Sequence, residues 1–200
     1  MPKISKNAAS EAQELERSYK LADIVKQRQQ TLNTLALQPG EKVFDIGCGV
    51  GFLTREMALL VGKSGQVIGL DQNKEMIIHA RKRCGGLPQI GFHIGDACQL
   101  PAENQTLDAV SCTQVLLYVK DVPNVLAEMR RILKPGGRLV IVETDWRGVV
   151  LNSADNSLTQ KIFSAWDEAV PSPNLPVHLK PLLQKQGFSN IQVEPIPILN

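Results

Sequence analysis

Asp45 and the glycines at 47, 49 and 51 are the residues whose types and spacing most directly imply chemistry. They belong to the run Val43-Phe44-Asp45-Ile46-Gly47-Cys48-Gly49-Val50-Gly51, which reads as a buried parallel strand breaking into a glycine turn. The turn opens a helix from Phe52 to about Leu60. Glycine lets a backbone turn tightly and lets a ligand lie against bare peptide. A dinucleotide turn is spaced G-x-G-x-x-G, and its third glycine permits close helix–strand packing. That third place falls on Phe52 counting from Gly47 and on Thr54 counting from Gly49, so the dinucleotide spacing fails in both registers. Asp45 adds a criterion of charge. A carboxylate just ahead of the turn repels a pyrophosphate and favours a cationic ligand, such as S-adenosylmethionine (SAM) with its sulfonium and ammonium groups.

Further acids stand where strands end. Asp71 closes the β-rich run Gln66–Asp71, and a carboxylate there can accept hydrogen bonds from both ribose hydroxyls. That role suits an NAD enzyme equally well, and an exposed turn Asp is the plainer alternative. Asp96, in Gly95-Asp96-Ala97, follows a third strand at Ile90 to Ile94, with a helix cap as its plainer alternative. A fourth strand, Leu107 to Cys112, leads into Thr113 and Gln114, and Asp108 is read as ordering the turn before it.

Residues 43–51 resemble the first motif of class I SAM-dependent methyltransferases, hhDhGCGxG, position for position. The run Gly95 to Pro101, the Leu107-Asp108-Ala109-Val110 segment and Leu133-Lys134-Pro135-Gly136-Gly137 are similar to the small-molecule branch, in particular the ubiquinone/menaquinone biosynthesis methyltransferases. The resemblance implies SAM as cofactor and a small-molecule acceptor. It implies that Asp45 reaches the methionine end, often through water, and that Gly47, Gly49 and Gly51 supply backbone groups and clearance. Asp71 would then hold the ribose, with Gln72 beside the adenosine. Asp96 would take the adenine amine and the Ala97 N–H the ring nitrogen. Thr113 would lie on the methionine portion and Gln114 would look toward the acceptor. Tyr19 and Arg28 are candidate contacts from the N-terminal helix, although an Arg on an amphipathic helix is commonly just solvated.

Methyl transfer from an activated donor needs alignment and exclusion of water, so no obligatory catalytic side chain and no metal are expected. Where the acceptor must lose a proton, Glu143, Asp145 and His178 are the candidate bases. The first two follow the fifth strand; for His178 an ordinary surface histidine is the plainer reading. Residues 144 to 180 are expected to form a substrate-side insert. Its Trp146, Phe163 and Trp166 either line an apolar or aromatic acceptor pocket or simply pack the insert.

The elements that must position these residues alternate strand and helix, the pattern of a doubly wound, Rossmann-like parallel α/β sheet. Ligands of such sheets bind beyond the carboxyl ends of the strands, near the topological switch point. One or two helices are expected between Glu14 and Leu37, and Pro39-Gly40 turns into the first strand. Helices follow at about Lys74 to Cys84 and Val122 to Leu133, then a fifth strand from Arg138 to Glu143. Pro181 to Gly187 reads as a helix end and Ile191 to Pro195 as a sixth strand. Residues 1 to about 14 are polar and expected to fray.

The whole chain is expected to be one domain, with N-terminal helices at 1–38, a SAM-binding core at 39–145 and the insert and last strand at 146–200. The final antiparallel strand usual in class I methyltransferases has no counterpart before Asn200, so the chain is expected to be C-terminally truncated.

Composition excludes less than the motifs do. Twenty-two basic against twenty acidic residues argue against nucleic acid binding driven by phosphate contacts. The clusters Arg81-Lys82-Arg83 and Arg130-Arg131 read as helix ends, where cations complement the dipole. Four cysteines without a C-x-x-C pair, no signal peptide and no long apolar run suggest a reduced, cytoplasmic protein without a membrane span. Three other functions remain open beside methyl transfer: a non-catalytic SAM-binding protein, an NAD-linked oxidoreductase, and an aminopropyltransferase, which lacks its acidic pattern after strand four. An arsenite-type thiolate site finds too few well-placed cysteines.

Overall fold

Among the described residues five strands form the sheet, β1 Lys42–Ile46, β2 Gln66–Asp71, β3 Ile90–Ile94, β4 Leu107–Thr113 and β5 Leu133–Val142, with β1 and β4 the most buried. The computed structural model describes residues 16–151, 153–169 and 171–198, so the stretch 1–14, expected to fray, lies outside the described residues. The strand order is β3-β2-β1-β4-β5 and every neighbouring pair is parallel, which is the doubly wound α/β arrangement. The order reverses between β1 and β4. Ligands of such sheets bind beyond the carboxyl ends at this reversal, which lies at Ile46 and Thr113.

The longer helices of the described residues are α1 Ala22–Leu35, α2 Phe52–Val61, α3 Lys74–Arg83, α4 Val122–Ile132, α5 Asn156–Ala169 and α6 Pro176–Lys185. Alternation along the strands decides which helix covers which face. Val43, Val67 and Ala109 pack beneath Leu32 and Leu35 of α1 and Met57, Ala58 and Val61 of α2. Phe44, Ile46, Val110 and Cys112 point the other way, to Val125, Leu126 and Met129 of α4 and Leu179 of α6. Local chemistry fixes the starts of α3 and α4. The Asn73 side chain accepts the Glu75 N–H at 2.9 Å, and Asp121 accepts the Asn124 N–H at 3.2 Å. Arg138 of β5 ties down α1: its Nε donates to the Leu35 carbonyl at 2.7 Å and its Nη2 pairs with Glu41 at 2.5 Å.

Asp108 lies within β4 and, instead of ordering the turn before it, ties the strand to its neighbours β1 and β5. Its carboxylate accepts the Lys42 N–H at 2.8 Å and pairs with Lys134 at 2.5 Å. Two boundaries differ from the sequence reading, while the helix end expected from Pro181 to Gly187 is the end of α6. α4 stops at Ile132, and the buried Leu133 enters the sheet directly opposite Leu107, so β5 starts five residues before Arg138. The Lys134–Gly137 turn is taken up as a register irregularity, with Gly136 at φ 78°. α6 begins at Pro176 and carries Pro181 inside it. The expected sixth strand at 191–195 pairs with nothing, since Pro195 and Pro197 lack the N–H a ladder needs and Val193 is 71% exposed. Among the described residues no helix is long and apolar enough to cross a membrane.

Candidate cofactor site at the carboxyl ends of the strands

The turn after β1 is anchored to β2 and packed on by Val115 and Ala80. Gly47, Gly49 and Gly51 all have positive φ, at 69°, 52° and 82°. The N–H groups of Gly47 and Cys48 both donate to the Leu70 carbonyl, at 2.8 and 2.9 Å, which anchors the turn to β2. A Cβ at Gly47 would come within 2.1 Å of the Val115 Cγ2, so no side chain fits there. At Gly51 the obstacle is Ala80 of α3, at 3.0 Å.

Asp71 completes the turn. One carboxylate oxygen accepts the Gly49 N–H and the other the Asn73 N–H, both at 2.9 Å. The half-buried acid thus bridges the glycine turn and the start of α3, and each oxygen keeps a further lone pair for a ligand hydroxyl. Gln72 beside it is exposed. Asp96, after β3, is exposed and accepts the Cys98 N–H at 2.8 Å, while Ala97 is buried. These residues line one end of the sheet in strand order.

Asp45 lies in the interior near the end of β1. It is 2% exposed, and its two oxygens accept the hydroxyls of Ser111 at 2.6 Å and Thr54 at 2.5 Å. It therefore knits β1, β4 and α2 together instead of opening onto the turn. Burial pushes its carboxyl up to about 6, against the pull of the two hydroxyls and with a further push from Asp71.

The N-terminal residues gather on Phe52. Tyr19 stacks on its ring with centroids 5.4 Å apart, and the Arg83 and Arg28 guanidiniums stand 3.6 and 5.1 Å from it. Burial, then Asp45, push the Tyr19 hydroxyl up to about 12, so it stays protonated. Arg28 is not merely solvated. It pairs with Glu56 at 3.0 Å and donates to the Tyr19 carbonyl at 2.9 Å. Arg28, Phe52, Arg55, Glu56 and Arg83 line a cavity of about 400 Å3 here.

Residues after β4 meet residues after β5. Thr113 Oγ1 is buried without a partner. Gln114 is left-handed at φ 56°, its N–H donates to the Val142 carbonyl at 2.8 Å, and its Oε1 accepts the Thr144 hydroxyl at 3.0 Å. Glu143 Oε1 accepts the N–H groups of Val115 and Leu116 at 2.9 and 2.7 Å, while its Oε2 is buried and unpaired. Burial raises the Glu143 carboxyl to about 7 in spite of those N–H groups. Asp145 accepts the Arg147 N–H at 3.1 Å, and His178 is an exposed residue of α6 near Asn174. Trp146 and Phe163 each pack on Trp166, at 4.9 and 5.7 Å between centroids, with Trp146 Nε1 buried and unpaired.

The sequence alone did not find the carboxylate–backbone contact of Glu143 or the role of Phe52 as a platform for two arginines. The only signal for the first was an acid immediately after a strand. Burial holds the thiols of Cys48, Cys84 and Cys112 protonated, which leaves no thiolate site there. Among the described residues no group of three or more His, Cys, Asp or Glu is placed to hold a metal.

The chain is similar to known proteins in sequence and fold. Residues 37–194 match a family model described as a methyltransferase domain. The chain is 32% identical over 184 residues to a 2-phytyl-1,4-naphtoquinone methyltransferase of Thermosynechococcus vestitus, covering 84% of this chain and 81% of that protein. It spans about half the length of several other curated relatives it matches. Among solved structures, a SAM-dependent methyltransferase from Aquifex aeolicus has a TM-score of 0.68 at 19% identity, covering 91% of this chain and 89% of its own, and shares the fold. Phosphoethanolamine N-methyltransferase 2 of Haemonchus contortus, in complex with SAM, has a TM-score of 0.68 at 25% identity over 84% of this chain and 38% of its own.

Proposed function

The chain belongs to the methyltransferase-domain family, and from that premise we propose that it transfers the SAM methyl group to a small-molecule acceptor. The observation that carries the reading is the glycine turn: its first glycine has no room for a side chain, and Asp71 of β2 is fastened to the N–H of its second. This cradle fits SAM. Asp71 offers lone pairs to the ribose and Asp96 and Ala97 flank the adenine, while Gly47, Gly49 and Gly51 supply the backbone of a turn packed against Val115 and Ala80, with the buried Thr113 hydroxyl behind it. Asp45 contributes through its charge and its ties to Ser111 and Thr54 rather than by direct contact.

SAM supplies an already activated methyl group; the chain's own residues bind, orient and keep water out. The acceptor we propose is aromatic or apolar, of the naphthoquinone kind. The Thermosynechococcus vestitus relative supports this, as do the three aromatic rings of the segment after β5.

Calorimetric titration with SAM, S-adenosylhomocysteine and NAD tests the cofactor. Micromolar binding of the first two is expected, weakened at least about tenfold in Asp71→Ala, since that change frees two backbone N–H groups and removes the ribose partner. Binding of NAD alone would overturn the reading.

A further inference from the structure

Three contacts join the end of β5 to the residues after β4, and Glu143 makes the central one. Gln114 N–H reaches the Val142 carbonyl, the Thr144 hydroxyl reaches the Gln114 Oε1, and between them Glu143 Oε1 takes the N–H groups of Val115 and Leu116. Val115 is the residue that touches the glycine turn: its Cγ2 occupies the space that a side chain at position 47 would need. Gln114 is held in a left-handed conformation that a non-glycine residue keeps only when its surroundings enforce it. Leu116 starts the short 3-10 turn Leu116–Tyr118, so the same carboxylate also caps that turn. A chain of direct contact thus runs from Glu143 through the Val115 backbone and side chain to Gly47.

We propose that Glu143 is a positioning residue of the cofactor site, which presses Val115 onto the Gly47 turn and so sets the wall that SAM meets. This rests on the reading that the turn takes SAM. Glu143 itself touches neither the turn nor the ligand, and its unpaired Oε2 is closed off from solvent. Among the described residues no cation pairs with it. The titratable groups that sense its charge are Cys112 of β4 and Tyr118 of the 3-10 turn, and Asp45 of β1 acts on Cys112 from the same core. An ionised carboxylate holds N–H groups more tightly than a neutral carboxyl does, so the wall is firmest when Glu143 has lost its proton. Its burial places that change near neutral pH, to about 7.

The test measures SAM affinity by calorimetry from pH 6 to 8 in the wild type, Glu143→Gln and Glu143→Ala, with thermal unfolding recorded in parallel. Gln keeps an oxygen for the two N–H groups but does not titrate; Ala keeps neither. Expected are a loss of at least about tenfold in SAM affinity for Ala, and recovery to within about threefold of wild type for Gln at pH 6. From pH 6 to 8 the wild type should gain about threefold or more over Gln. Taking the ratio of wild type to Gln removes the titration of SAM and of Asp45, which both proteins share. An Ala variant that is folded and binds SAM like the wild type would overturn the proposal. So would a wild-type-to-Gln ratio that stays constant with pH, a comparison that holds even if the Ala variant does not fold. Failure of the wild type to bind SAM at all would instead overturn the cofactor reading.

Discussion

At the scale of single residues, conformation and crowding separate glycines that look alike in sequence. Gly47 and Gly187 both have positive φ, at 69° and 81°, but a Cβ at Gly47 would strike Val115 whereas at Gly187 nothing lies within 4 Å. Gly187→Ala should cost only the backbone strain, about 1 kcal/mol. Gly47→Ala should cost about 2–4 kcal/mol because overpacking adds to that strain, and it should weaken SAM binding as well. Urea denaturation of both variants checks the difference, and equal costs would mean that Val115 yields freely. Short-range features of this kind were legible in the sequence: the turn, Asp71 and the N-terminus of α2 all follow from adjacent residues. Asp45 was legible as important but not as buried. Its hydroxyl partners Thr54 and Ser111 come from a helix and a strand whose registers no local pattern fixes. Glu143 was hidden for the same reason, since its partners lie 27 and 28 positions away.

At the scale of elements, Arg138 fastens α1 to the sheet. Removing it in Arg138→Ala strips the Leu35 carbonyl of its donor and Glu41 of its partner, and should cost about 1–3 kcal/mol by chemical denaturation. A loss under about 0.5 kcal/mol would show that the apolar contacts of Leu32 and Leu35 suffice. The order and faces of the central elements could be read because their apolar positions recur at the strand or helix period. Boundaries near Lys134–Gly137 could not. Proline and glycine signal a break, but here the break is absorbed inside a strand whose first residue, Leu133, is buried. The stretch 191–195 has strand-like composition, yet composition cannot say whether a neighbouring edge is present to pair with it.

At the scale of the whole molecule, buried and half-buried, ion-paired acids pull stability in opposite directions with pH. Burial raises Asp45 to about 6 and Glu143 to about 7, so the stability they contribute is complete at low pH and is lost as pH rises toward 7. Glu41, Asp108 and Glu128 lie below the usual carboxylate range. Burial opposes this in each case, but hydrogen bonds from Arg138, Lys134 and Arg131 outweigh it. Their contribution is present above that range and lost as pH falls through it. Stability should therefore peak near pH 5 and decline by roughly 2–4 kcal/mol toward pH 8. Glu143→Gln should flatten much of the decline, as followed by urea denaturation at pH 5, 6.5 and 8. A wild type equally stable at pH 5 and 8 would contradict it. The tie between Arg138 and Leu35 spans 103 positions of a wholly parallel sheet. During synthesis α1 leaves the ribosome early, yet the strand that fastens it emerges only when most of the domain has been made. α1 is thus among the last elements to be locked, and a nascent chain stalled before residue 138 would carry α1 without its anchor.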